Sequence, residues 1–195
     1  MIENQKEKID AEEIFPFIDG ERISLIAQVS KFIPLIVRWN NDPAVRHYAR
    51  FALPTTPEQV KKWFEPAPER TARNVVFFTI YYKKDKGPIG SIGFFNINWL
   101  NRNAEISAII GEPDYWGKGI VGEAAKLLIK YGFTELNLHK IKAAVFNPNN
   151  RSLRAAEKLG FKKEAIIKDE LYVNGEYVDA HYFSLFKRDW LKENI

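Results

Sequence analysis

The sequence has no cysteine among its 195 residues. Thiolate nucleophiles, disulfides, iron–sulfur clusters and cysteine-bound zinc are excluded by that absence alone. Only three histidines occur. They are His47, His139 and His181, and none stands at metal-ligand spacing from another, so no metal is expected. There is no long apolar run. The longest uncharged stretch, 87–101, is rich in Gly and Asn and too short to cross a bilayer. The opening residues mix acids and bases without an apolar segment, and no signal peptide is read there. An excess of one charge is also missing: 29 Lys and Arg against 25 Asp and Glu leave +4. That is far from a dedicated nucleic-acid binder, and no aromatic RNA-binding pattern accompanies it. A soluble, cytoplasmic protein is expected, with no membrane and no direct nucleic-acid partner.

What is present is globular. Hydrophobic residues make up 46% and charged residues 28%, a balance that can bury a core without staples. Residues 1–20 read as an N-terminal extension containing an apolar patch at 14–18, and 21–195 as a single mixed α/β domain. A strand is expected at 22–29, then a helical stretch at 31–39 interrupted at Pro34. Asn41-Asp42-Pro43 and Thr55-Thr56-Pro57-Glu58 read as two further helix starts. Residues 74–82, 89–99 and 104–110 are rich in β-branched and aromatic residues, with short turns between them. They predict an antiparallel meander, with Gly90 and Gly93 as bulge positions. The longest helix is expected from Gly119, with Ile120, Ala124, Leu127, Leu128 and Tyr131 on one face. A strand at 140–146, a helix at 149–159 closed by Gly160, and a hairpin around Asn174-Gly175 follow. A helical turn is expected at 187–194.

The strongest chemical signal is Tyr115-Trp116-Gly117-Lys118-Gly119-Ile120-Val121-Gly122. A strand runs into a glycine-rich turn, and the turn opens the longest helix. Unpaired N–H groups and the helix dipole make that position a site for phosphate. The same glycines also suit a plain tight turn. Read literally, Gly117, Gly119 and Gly122 spell the dinucleotide fingerprint. The pattern follows a meander rather than a βαβ unit, and no acid for a ribose closes the next strand, so that reading is rejected. No P-loop string exists.

Further on stand Asn147-Pro148-Asn149-Asn150-Arg151-Ser152 and Lys158-Leu159-Gly160-Phe161. The order strand, Y-W-G-K-G, helix, strand, N-x-x-S, helix, K-L-G-F, strand resembles the GNAT acetyltransferases. It is most similar to the branch with ribosomal-protein N-terminal acetyltransferases and spermidine acetyltransferases. The string Arg38-Trp39-Asn40-Asn41-Asp42-Pro43-Ala44-Val45-Arg46 also matches that branch.

The resemblance implies a mostly antiparallel sheet with a splayed parallel strand pair, 104–110 and 140–146, and flanking helices. It implies acetyl-CoA as cosubstrate. The pantetheine arm would pair with the backbone of Ile109, Ile110 and Gly111. The pyrophosphate would sit on the amides of Trp116, Gly117, Lys118, Gly119, Ile120 and Val121. The family pattern before these glycines begins with Gln or Arg, whereas Asp114 stands here. Asn149 would contact the pantetheine, and it is equally a good N-cap for the helix that follows. Glu105 is the expected general base, with a surface carboxylate as its plainer reading. The usual tyrosine acid is replaced by Ala156, and Ser152 is the expected substitute; Tyr172 and Tyr182 are further donors. Trp39, His47, Tyr48, Phe51 and Trp99 are candidates for the acceptor wall, though each also suits a core. The expected reaction is acetyl transfer to a primary amine, foremost a protein N-terminal α-amine. Loss of the tyrosine that spermidine enzymes keep favours that acceptor. The alternatives are a small amine such as a polyamine or aminoglycoside, or a catalytically weak acyl-CoA-binding regulator. A homodimer is among the assemblies considered.

Overall fold

The computed structural model describes residues 15–49, 52–65, 72–146 and 149–194, without the side chain of Tyr48. Among the described residues, eight strands form one sheet in the order β1-β2-β3-β4-β5-β6-β8-β7. They are β1 (Pro16–Asp19), β2 (Ile23–Ala27), β3 (Val76–Tyr82), β4 (Gly87–Asn98), β5 (Asn103–Ile110), β6 (Lys140–Phe146), β7 (Lys162–Val173) and β8 (Glu176–Phe186). The helices are α1 (Ile33–Asn41), α2 (Pro43–Ala49), α3 (Pro57–Lys62), α4 (Ile120–Thr134), α5 (Asn150–Lys158) and α6 (Lys187–Asn194). The expected mixed α/β class, the mostly antiparallel sheet and its parallel pair are all present. The apolar patch near residue 16 is strand β1, antiparallel to β2.

Packing divides the chain into two units: Met1–Glu65, Phe78–Ser91 and Ile109–Ala124 in the first, Pro66–Phe77, Ile92–Ala108 and Ala125–Ile195 in the second. In the first, four consecutive β2 residues are buried, Ile23, Ser24, Leu25 and Ile26, as in strands covered on both faces. The one hydroxyl among them, Ser24, donates to Asp19 Oδ1 at 2.7 Å, which offsets the cost of burying it. Ile26, Phe32, Ile36, Trp39, Val60 and Tyr81 pack as one cluster. Pro34 does not interrupt α1. It sits in the first turn, where a missing N–H breaks no helical bond. Thr56 and Gln59 close a capping box on α3. Pro66 and Pro68, expected to end this helix, lie outside the described residues.

Gly90 is required by a close approach. A Cβ there would stand 2.1 Å from Ile109 O and 2.9 Å from Ile110 Cα, and both obstacles are backbone. Opposite this point, the N–H groups of Gly111 and Glu112 both donate to Ile89 O, at 2.9 and 3.3 Å. Two residues thus face one, as in a bulge. Gly90→Ala is expected to destabilise the fold by about 3 kcal/mol or more, the upper range for overpacking. Denaturant unfolding checks this, and a loss below about 1 kcal/mol would contradict the contact.

The second unit holds the parallel pair. β5 and β6 pair at Asn103–Lys140, Ala104–Ile141 and Glu105–Lys142. The ladder stops at Glu105–Lys142, although both strands run on. The other edge of β6 pairs antiparallel with β8 over seven residues, Lys140–Phe186 to Phe146–Ala180. Asn174 (φ 52°) and Gly175 (φ 94°) make the tight turn between β7 and β8, as the Asn-Gly signal predicts. The buried face of α4 differs from the expected one. Ala125, Ile129 and Phe133 join Ile120, Ala124 and Leu128 in burial, while Leu127 and Tyr131 are half-buried. Ideal periodicity misses this because the burying neighbours, not the helix, choose the stripe.

Candidate active site

The glycine turn belongs to the first unit. Gly117 and Gly119 have φ of +75° and +74°, the left-handed region that non-glycine residues enter at a cost. A Cβ on Gly117 or Gly122 would meet nothing within 4 Å. The turn therefore presents bare backbone at the start of α4. The first intrahelical bond there runs from Glu123 N to Gly119 O at 3.2 Å, so the N–H groups of Ile120, Val121 and Gly122 precede the helical ladder. The Ile120 side chain is buried, so that residue offers its amide alone. Bare amides, open space and a positive helix end fit a diphosphate.

Neighbours hold this turn in place. The Trp116 indole N–H donates to Ile110 O at 2.9 Å. Lys118 Nζ lies 5.2 Å from the centroid of the Tyr115 ring, and the Tyr115 hydroxyl donates to Asp85. Burial first, then Asp85, push the Tyr115 phenol far above its usual range, so it stays a neutral donor. Trp39 is buried, its ring against Gly111. Its indole N–H donates to Glu112 Oε1 at 2.9 Å, and Arg38 donates to the same oxygen.

Arg22, which the sequence reading did not single out, also reaches the turn. Its backbone N–H donates to Glu123 Oε1 at 2.8 Å, its Nε to Glu123 Oε2 at 2.7 Å, and its Nη1 to Lys118 O at 3.0 Å. Burial raises the Glu123 pKa, but the bonds from Arg22 outweigh it and hold the carboxyl below its ordinary value. A depressed carboxyl stabilises the fold above its unfolded pKa and loses that contribution as pH falls through the folded pKa. Glu123→Gln is therefore expected to flatten the acid limb of stability below the ordinary glutamate range. Denaturant melts across pH would show it, and an unchanged acid limb would contradict it.

The second unit holds Glu105, Asn149 and Ser152. Glu105 is the last residue of β5 to pair with β6, so it stands where the two strands part. Its Oε1 accepts from Asn96 Nδ2 at 3.3 Å and from Lys142 Nζ at 3.4 Å. Asn149 is buried and is the N-cap of α5. Its Oδ1 accepts from the Ser152 N–H at 3.1 Å, so the capping reading is realised. Ser152 lies half-buried in the first turn of α5. Tyr182 is half-buried on β8, opposite Ala144 of β6. Burial, then the charges of Glu170 and Glu105 and a hydrogen bond with Glu170, raise its pKa. It remains protonated at neutral pH. Tyr172 is exposed, its ring 5.3 Å from that of Tyr177.

Of the acceptor-wall candidates, Trp39 belongs to the first unit's core. His47 is half-buried on α2. Trp99 is exposed, and its indole donates to Arg73 O at 2.7 Å. The Tyr48 side chain and Phe51 lie outside the described residues. Among the described residues, no group of three or more His, Asp or Glu could hold a metal, and no helix is long and apolar enough to cross a membrane.

Comparison with known proteins matches these features to one class. A family model described as an acetyltransferase (GNAT) domain matches residues 26–162. An uncharacterized N-acetyltransferase, p20, from Bacillus licheniformis is 32% identical over 171 residues, covering 87% of this chain and 96% of that protein. The chain belongs to the GNAT acetyltransferase family and is an acetyl-CoA-dependent N-acetyltransferase.

Among its relatives, the spermidine N(1)-acetyltransferase of Escherichia coli K12 is 38% identical over 105 residues, covering 54% of this chain and 56% of that protein. The putative ribosomal N-acetyltransferase YdaF of Bacillus subtilis is 40% identical over 101 residues, covering 52% and 55%. Both alignments thus span about half of those relatives. The crystal structure of spermidine N-acetyltransferase from Vibrio cholerae, in complex with CoA and spermine, superposes with a TM-score of 0.79 at 25% identity. It covers 88% of this chain and 99% of that one.

Proposed function

We propose that this acetyltransferase acetylates a small polycationic amine of the polyamine class, with Glu105 as general base and Ser152 as acid. The observation that carries the acceptor is the likeness to the Vibrio cholerae spermidine enzyme along almost that enzyme's whole length. It supports the small-amine alternative over the protein N-terminus that the sequence reading put first. Carboxylates at Glu105 and Glu170, both acting on Tyr182, are of the sign a polycation needs.

Acetyl-CoA supplies the acetyl group as a thioester. The amides from Gly117 to Val121 hold its diphosphate, whereas the Trp116 N–H, expected among them, already donates to Pro113 O at 2.9 Å; the backbone at Ile109 and Ile110 takes the pantetheine arm as an added strand. Glu105 removes a proton from the ammonium, directly or through one water, so that the free amine attacks the thioester carbonyl. The N–C bond forms, the tetrahedral oxyanion collapses as the nitrogen releases its second proton, and the C–S bond breaks, the sulfur leaving as a thiolate that takes up that proton. Ser152 donates a hydrogen bond to the departing thiolate. Tyr182, held protonated, is the second candidate for that donor.

A second reading, acetylation of a ribosomal-protein N-terminus, is favoured by YdaF and by Ala156 in place of the tyrosine. Thiol release from acetyl-CoA separates the two, measured with spermidine, spermine, an aminoglycoside and peptides bearing free α-amines. The highest kcat/KM is expected with a polyamine. A preference for peptides would transfer the function to the second reading. Tight CoA binding without turnover on any acceptor would instead identify a regulator.

A further inference from the structure

A diphosphate on this turn would gain from cationic side chains beyond Lys118. Asp114 carries the wrong sign. The Lys118 ammonium stacks over Tyr115, 5.2 Å from the ring centroid. A further cation comes from elsewhere in the first unit. Arg22 precedes β2 by one residue and lies 96 residues from Lys118, whose carbonyl it binds.

Three contacts fix this arginine. Its main-chain N–H and Nε hold both oxygens of Glu123, and Nη1 holds Lys118 O. Glu123 is the more buried partner, with side-chain exposures of 17% against 42% for Arg22. The carboxylate thus acts as a clamp beneath a guanidinium that still meets solvent. Nη2 stands 3.9 Å from where a Cβ of Gly119 would be, on the bare amide turn itself. A planar fork fixed by two anchors and open at its outer nitrogen suits a phosphate oxygen.

We infer that Arg22 is a phosphate-binding residue of this enzyme, clamped by Glu123 against the α4 turn so that its outer nitrogen meets the diphosphate of CoA. The assignment rests on the acetyl-CoA reading and deepens it. Arg22, one residue before β2, adds a charge that Asp114 does not supply. Glu123 is the positioning residue that holds the fork.

Titration calorimetry with CoA and 3′-dephospho-CoA, and steady-state kinetics with S-acetylpantetheine as a phosphate-free donor, test this. Arg22→Ala is expected to raise the Kd of CoA and of 3′-dephospho-CoA alike by about tenfold or more, the range for a charged hydrogen bond. It is expected to leave kcat/KM with S-acetylpantetheine within twofold. Glu123→Gln, which keeps the arginine but loosens its clamp, is expected to weaken both nucleotides less than Arg22→Ala does. Arg22→Lys, which keeps the charge without the fork, is expected to lose about threefold and carries the test should Arg22→Ala fail to fold. A folded Arg22→Ala with unchanged CoA affinity would overturn the assignment. So would a loss confined to CoA, which would place the arginine on the 3′-phosphate, or an equal loss with S-acetylpantetheine. A wild-type chain that bound neither nucleotide would overturn both this assignment and the acetyl-CoA reading beneath it.

Discussion

Gly119→Glu is expected to abolish CoA binding, a loss of more than about 100-fold in affinity. Two effects combine. Gly119 has φ +74°, where any side chain costs about 1–2 kcal/mol of backbone strain. The new carboxylate would also stand on the amide turn, in the space and of the sign of the diphosphate it must exclude. Gly119→Ala separates the two, since it carries the strain without the charge. Calorimetric titration of both variants with CoA is the measurement. Equal, modest losses in the two would mean that strain alone was measured and that the diphosphate lies elsewhere.

Glu105→Gln is expected to leave CoA affinity within twofold and to lower kcat by about 100- to 10,000-fold, the usual range for a lost general base. The deficit should be deepest at low pH, where the acceptor is most fully protonated and most needs a base. It should narrow as pH rises and free amine accumulates. Glutamine keeps an acceptor oxygen for Asn96 Nδ2 and Lys142 Nζ, both of which bond Oε1 in the wild type, so the local fold is spared. A pH–rate profile parallel to the wild type would remove Glu105 from the base role. Ser152→Ala is an equally clean test of the acid, because Asn149 caps α5 through the Ser152 backbone N–H, which alanine retains. A fall in kcat of about tenfold with the cap intact would support the hydroxyl as donor to sulfur. An unchanged kcat would point to Tyr182.

The elements read along the chain were those governed by local rules. The helix start at Thr56 and the Asn174-Gly175 turn each depend on residues within four positions of one another. Their conformations follow from steric and capping preferences that need no partner. The misreadings have the same origin. Pro34 was expected to interrupt a helix because sequence does not reveal which turn it occupies, and the first turn tolerates it. The α4 stripe is displaced because tertiary packing, not helix periodicity, decides which residues are covered.

The site divides along the same line. The glycine turn, the Asn149 cap and the strand carrying Glu105 were legible because each is a short string with its own chemistry. The resemblance joined them into one enzyme family. Its first choice of acceptor rested on a single substitution, Ala156, and similarity along the whole fold favours a polyamine instead.

The sequence by itself determined the order of strands and helices from β2 onward, the glycine turn that opens α4 and the absence of thiol chemistry. Only the tertiary structure decided that β8 lies between β6 and β7, that the β5–β6 ladder ends at Glu105, and that Arg22 reaches Lys118 across 96 residues. The physical reason is range. Backbone sterics and capping act within a turn or two, whereas strand order and the placing of a distant side chain follow from which distant apolar faces are buried together. No local pattern records that burial.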